Sequence, residues 1–157
     1  MEKLLKILDD NARLTNAQMA VMLGCTEKEV GDRISEWERS GVIRGYKAII
    51  DWERTDRAYV TALIELRVSP KRDLGFEGIA ETVMRFDEVE SVYLMSGGYD
   101  LAVIVSGQTF RDIAMFVAKR LSTLDSVLST ATHFVLRRYK DGGVIFLGEE
   151  KDERGVL

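Results

Sequence analysis

Between Tyr93 and Val105 the chain reads YLMSGGYDLAVIV, and Ser96-Gly97-Gly98-Tyr99-Asp100 stands between two apolar runs. These residue types suit the capture of a small zwitterion. Glycine leaves backbone N–H groups uncovered, and Ser96 and Asp100 set short polar side chains beside them. Paired glycines also supply the positive-φ positions of a tight hairpin, and a Gly-Gly turn on its own implies no more than that. A second group able to do chemistry is Thr26, Glu27, Lys28, Glu29, Asp32 and Arg33, followed by Arg44 and Lys47. Cations there suit phosphates, and the mixed polar set suits base edges, although an arbitrary amphipathic helix more often carries such charges as a solvated face. Little else in the chain could do chemistry. The one cysteine, Cys25, and the one histidine, His133, leave no ligand set for zinc and no catalytic triad. Carboxylate-only magnesium sites stay open, and no cofactor motif is present.

A chain of 157 residues with a 46% hydrophobic fraction has the size and make-up of one ordinary domain or two small ones. Neither a membrane span nor a signal peptide is legible, and a single cysteine fits a reducing compartment, so a cytoplasmic protein without membrane association is expected. The net charge of −4 argues against a nucleic-acid binder, but its distribution does not. Residues 1–50 hold eight Lys/Arg and eight Asp/Glu, so the deficit lies wholly in residues 51–157. Two domains of different charge are expected.

The elements that must position the second group come first in the chain. Leu4, Ile7 and Leu8 recur at helical spacing up to Asp10-Asn11. Thr15 can cap a second helix with Ala17, Met19, Ala20 and Leu23 inward and Gly24 ending it. Thr26 can cap a third, with Glu29 completing a capping box and Val30, Ile34 and Trp37 as its buried stripe, closed by Gly41. Two short helices about a Gly-containing corner make a helix-turn-helix, whose second helix frees Lys28, Asp32 and Ser35 on its outer side. Val42–Ile50 reads as an extended wing broken by Gly45 and bearing Arg44 and Lys47. Mid-helix Gly31 costs roughly 1 kcal/mol against alanine, and it reads either as permitting a close approach to the backbone or as an unexplained exposed glycine.

Asp51–Arg57 reads as a linker in which Trp52 packs at the junction. From Tyr59 to Val68 apolar residues alternate as in a strand, closed by Pro70. A helix with Phe76, Ile79, Ala80 and Val83, strands Val89–Met95 and Leu101–Val105, a Thr109-capped helix burying Phe110, Ile113, Val117 and Leu121, and a strand Val127–Tyr139 complete a βαββαβ order. That is an α+β fold: a winged helix-turn-helix over 1–50, a linker over 51–58, a ferredoxin-like domain over 59–140 and an extension over 141–157. Val144–Leu147 is expected to add a short strand and Glu149–Leu157 to be disordered. The bare sheet face is apolar enough to imply a homodimer.

The chain resembles the Lrp/AsnC family, the leucine-responsive or feast/famine transcription regulators. Asp9–Ala20 (DDNARLTNAQMA), Val30-Gly31-Asp32-Arg33-Ile34 and Gly41-Val42-Ile43-Arg44-Gly45-Tyr46 are similar to its helix-turn-helix and wing. Gly97–Asp100 matches its Gly-x-Tyr-Asp element, and Val127–Thr132 followed by Leu136 resembles its closing Thr-x-Thr strand. The resemblance implies an ACT-like sensing domain, dimers that in many members build octamers, and an amino acid or related metabolite bound between sensing domains. It implies an effector site at Met95, Ser96, Gly97, Gly98, Tyr99 and Asp100, with Thr130, Thr132 and His133 at its edge. It implies a double-stranded DNA interface at Thr15, Asn16, Thr26, Glu27, Lys28, Glu29, Asp32, Arg33, Arg44 and Lys47.

The third helix departs from the family's usual Ser, Thr or Pro start. Its glutamates repel phosphate, so one domain alone should bind weakly and an oligomer should gain from avidity. Two other readings compete. One is a sensing module that has lost DNA affinity and forms mixed oligomers with a paralogue. The other is an enzyme resembling siroheme decarboxylases, disfavoured because Arg137 and Arg138 point to opposite faces of a strand and only His133 accompanies them. A regulator without catalytic residues is the expected function. His133 reads as a half-buried strand residue rather than a catalyst, and Cys25, in a helix-turn corner, as packing rather than a redox sensor.

Overall fold

The computed structural model describes residues 2–69 and 75–147. The backbone separates into two compact units, divided between Ala48 and Ile49.

The first unit holds α1 (Glu2–Asp10), α2 (Asn16–Leu23) and α3 (Glu27–Ser40). Both later helices begin on a threonine with a complete capping box. The Thr15 hydroxyl accepts from the Gln18 N–H and Gln18 reaches back to the Thr15 N–H, while Thr26 and Glu29 do the same for α3. Gly24 and Gly41 end the two helices at φ 67° and 74°, which glycine reaches without a Cβ penalty. Leu4, Leu8, Met19, Ala20, Val30 and Trp37 form the core, with Ile7, Leu23 and Ile34 packed around it. Ala17, expected inside, is exposed, because it lies away from the Met19-Ala20 side that meets the core.

Residues 44–51 contain neither helix nor strand, so the expected wing is extended chain without a ladder of its own. Two bonds hold its start: the Ile43 N–H donates to the Trp37 carbonyl at 3.1 Å, and the Tyr46 hydroxyl donates to Glu38 at 2.9 Å.

The second unit is a four-stranded antiparallel sheet in the order β2-β3-β1-β4, made of β1 (Val60–Val68), β2 (Val89–Leu94), β3 (Leu101–Gly107) and β4 (Val127–Phe134). Helices α4 (Glu77–Val83) and α5 (Phe110–Phe116) cover one face, and α5 runs on into a single π turn over Val117–Leu121. Ala62, Ile64, Leu66 and Val68 of β1 and Leu101, Val103 and Val105 of β3 meet Ile79, Val83, Ile113, Phe116 and Leu121 there. This is the ferredoxin-like arrangement that the βαββαβ order implies.

Three expectations fail locally. Phe110 stands 50% exposed, its ring edge-on to Phe134 rather than inside. The last strand stops at Phe134 instead of Tyr139: its paired register with β1 ends at Ala62 and Phe134, and the Val135 N–H makes one further bond, to the Thr61 carbonyl at 2.9 Å. Cys25 is exposed rather than packed. Beyond β4, β5 (Lys140–Asp141) and β6 (Val144–Ile145) close a small hairpin over Gly142-Gly143. Trp52, in a 3-10 turn over Trp52–Arg54, stacks on Tyr59 with centroids 5.6 Å apart, and the Arg57 guanidinium lies 4.7 Å from its ring. Residues 51–57 therefore pack with the sheet unit. The tail from Glu149 lies outside the described residues.

Candidate nucleic-acid interface and effector hairpin

Burial of Val30 and Trp37 sets how α3 is turned about its axis. At 100° per residue the side directly opposite carries Lys28, Asp32, Ser35 and Arg39. All four are exposed. Arg39 is the addition: the spacing 28, 32, 35, 39 was available in the sequence and marks it as the fourth member of the stripe.

Lys28 Nζ donates to Asp32 Oδ2 at 2.6 Å, and this hydrogen bond raises the ammonium pKa. Arg39 Nε bonds the Ser35 carbonyl at 3.3 Å. Arg33 pairs with Glu36 at 2.7 Å, on the flank of the helix rather than its outer face. Glu29 is committed elsewhere, accepting from the Thr26 N–H at 2.8 Å and hydroxyl at 2.7 Å. The backbone bond, with the hydroxyl's, holds its carboxyl below the usual value. Thr15 and Thr26 act as caps, and Glu27 is exposed at the start of α3. Arg44 lies against the C-terminal end of α3, since a Cβ built on Gly41 would stand 3.3 Å from its Cζ, and Lys47 is exposed on the extended segment.

Gly31 acquires a reason. A Cβ there would stand 3.2 Å from Asn16 Nδ2, so its absence eases the approach of the start of α2 to the middle of α3. Asn16 is thereby placed at the helix crossing.

In the second unit Met95 N–H donates to the Asp100 carbonyl at 2.8 Å and closes the hairpin between β2 and β3. Gly97 has φ 121°, a conformation essentially reserved to glycine, whereas Gly98 lies outside the positive-φ range, so one glycine and not two is required by the turn. Met95, Ser96, Gly97 and Gly98 are exposed, and Tyr99 and Asp100 half-buried. Asp100 faces inward. Its N–H donates to the Leu66 carbonyl at 2.9 Å, and its Oδ2 accepts from the Val68 N–H at 2.8 Å. The carboxylate that sequence places beside a ligand thus fastens the hairpin to the end of β1.

Thr130 lies opposite Leu66 and Thr132 opposite Ile64, on the helix-covered face. Their neighbour His133 lies opposite Leu63 on the other face, exposed rather than half-buried, with Nε2 3.3 Å from Glu65 Oε1. Strand alternation separates the three, so His133 does not share a wall with the two threonines. On that uncovered face Ser91, Ile104, Leu63 and His133 form one cross-strand row, and Tyr93, Ala102, Glu65 and Ala131 the next. Among the described residues no group of three or more His, Cys, Asp or Glu side chains could hold a metal ion, and no helix is long and apolar enough to cross a membrane.

Comparison with known proteins places these features in a family. Residues 61–145 match the model described as the Lrp/AsnC ligand binding domain. Over 156 residues the chain is 47% identical to the uncharacterized HTH-type transcriptional regulator YugG of Bacillus subtilis, covering 99% of this chain and 94% of the relative. It is 29% identical to the regulatory protein AsnC of Haemophilus influenzae over 83% of this chain and 85% of the other. A transcriptional regulator from Neisseria meningitidis, solved in complex with L-Met, superposes with a TM-score of 0.74 at 24% identity, over 88% of this chain and 89% of that one. AsnC of Escherichia coli superposes at 0.67 with 21% identity, over 86% and 89%.

Proposed function

The chain belongs to the Lrp/AsnC family of helix-turn-helix transcriptional regulators, and we propose that it binds DNA through α3 under the control of a small amino acid held at the 95–100 hairpin. The observation that carries the DNA part is the outer stripe of α3. Its rotation is fixed by Val30 and Trp37, its first turn is fixed by the Thr26-Glu29 capping box, and the residues left facing outward are Lys28, Asp32, Ser35 and Arg39. Arg44 and Lys47 add cations for phosphates.

The effector part rests on the exposed Ser96-Gly97-Gly98 backbone and on the neisserial neighbour, which was solved with L-Met. Thr130, level with Leu66 and hence with the hairpin end of the sheet, belongs to the same region, and Thr132 lies next to it on the same face. Because Asp100 ties the hairpin to β1, a ligand that shifts the hairpin also moves the end of that central strand. Copies of the chain associate through the uncovered sheet face, and the effector favours one arrangement of copies over another, changing which pairs of α3 reach successive major grooves.

An electrophoretic shift with duplex from the protein's own upstream region, at low ionic strength and with each of the twenty amino acids added in turn, tests the reading. Salt-sensitive binding altered by at least one amino acid is expected, and no binding at any salt would refute it. The acidity of α3 supports a second reading. Five acids (Glu27, Glu29, Asp32, Glu36, Glu38) outnumber three bases, two of which are already paired. Under that reading the chain acts through mixed oligomers with a paralogue, and DNA binding appears only when Glu27 and Glu29 are replaced by serine.

A further inference from the structure

We infer that Lys28 and Asp32 act as one reading unit for a single G·C base pair, with Asp32 setting which base is accepted. The inference rests on the DNA-binding reading above and names the contact that α3 would make.

Three observations lead to it. The two side chains lie at the centre of the outer stripe, in the N-terminal half of α3, the part that meets base edges in such motifs. Both heads are open to an incoming duplex, at 84% and 68% side-chain exposure. They already stand side by side, Nζ 2.6 Å from Oδ2. Neither flank of the helix could supply the pair, since Arg33 is held by Glu36 and Glu29 by the cap.

Across the major-groove edge of a G·C pair the groups run acceptor, acceptor, donor: guanine N7, guanine O6, cytosine N4. O6 and N4 are hydrogen-bonded to each other and so about 3 Å apart. An ammonium carries three donors and no acceptor, and a carboxylate carries acceptors only. Lys28 can therefore span N7 and O6 while Asp32 takes the cytosine amino hydrogen, without the two heads moving far from their present separation. An A·T pair runs acceptor, donor, acceptor and adds the thymine methyl group. There the carboxylate can still accept from adenine N6, but the lysine beside it meets only one acceptor, N7 or O4, instead of two, and the pair makes two contacts where G·C offers three. Asp32 also weakens attraction to phosphate. An acid retained in the middle of a DNA-facing stripe gives up general affinity and gains discrimination between bases.

The test is selection of bound duplexes from a random library by the full chain, run in parallel for the wild type, Asp32→Asn and Lys28→Gln. These exposed substitutions leave the caps and the core intact. The wild-type motif should hold one G·C column preferred about tenfold or more. Asparagine offers a donor and an acceptor suited to adenine N7 and N6, so Asp32→Asn should move that column, and that column only, toward A·T. Lys28→Gln should weaken the same column. If Asp32→Asn raises affinity and leaves every column unchanged, Asp32 is only a charge brake and the inference is overturned, while the regulator reading stands. A wild-type protein that enriches no duplex overturns both.

Discussion

The two glycines of the hairpin look equivalent in sequence and are not equivalent in the structure. Gly97 at φ 121° occupies backbone space that a side chain reaches only with strain, typically about 1–3 kcal/mol. Gly98 has an ordinary φ, and a Cβ built on it meets nothing within 4 Å. Replacing Gly97 with leucine should therefore lower the thermal midpoint by several degrees, whereas Gly98→Leu should leave it close to wild type and cover the exposed turn instead. Calorimetry separates the two, and a ligand-induced shift in melting temperature, seen with wild type but not with Gly98→Leu, would place the effector on the turn. Equal losses of stability in both variants would contradict this division. The partner of Gly31 and the role of Asp100 were hidden for a related reason. Each answers to a residue distant in sequence, Asn16 for one and the Val68 N–H for the other, and local pattern carries no record of such partners.

Elements were legible wherever their signals are local. Thr15, Thr26 and Thr109 all cap the helices that sequence assigns to them, because a hydroxyl accepting an N–H three residues on is a short-range event. The alternation from Tyr59 to Val68 marks the strand, which runs over Val60–Val68. What failed was set by partners. β4 ends where its register with β1 ends, at Ala62 and Phe134, and Thr132 parts from His133 through the two-residue period of the strand. One element makes a measurable claim. The Thr26 backbone N–H, with the hydroxyl, holds the Glu29 carboxyl below its unfolded value. A depressed folded pKa means a contribution present above the unfolded pKa and lost as pH falls through the folded one. The start of α3 should therefore loosen on the acid side of the ordinary carboxylate range. Protection of the Glu29 amide, its exchange relative to the intrinsic rate at each pH, should fall there in the wild type, and Glu29→Gln should remove that pH dependence while keeping the helix. An unchanged profile in Glu29→Gln would show that another group governs the cap.

At the scale of the molecule the open question is what lies on the uncovered sheet face. Helices α4 and α5 protect only the side bearing Ile64, Leu66, Leu101 and Val103. Leu63 and Ile104 sit opposite one another at the centre of the other side, with Tyr93 exposed nearby and His133 beside Glu65 at the β4 edge. A second copy meeting this face about a two-fold axis would bring one Leu63-Ile104 row onto the other and remove both from water. A glutamate at position 63 would then put two like charges into the middle of the contact, where such juxtaposition costs several kcal/mol. Within one copy the same change touches only a half-buried residue on the far side of the sheet from the core. Leu63→Glu should thus weaken self-association by about a hundredfold or more, while the far-ultraviolet circular dichroism of the folded chain is retained. Sedimentation velocity across a concentration series reads the first and melting the second, with Leu63→Ala as the uncharged control. If Leu63→Glu sediments as the wild type does, copies meet elsewhere, and coupling from the hairpin to the arrangement of α3 pairs would have to run through a different surface.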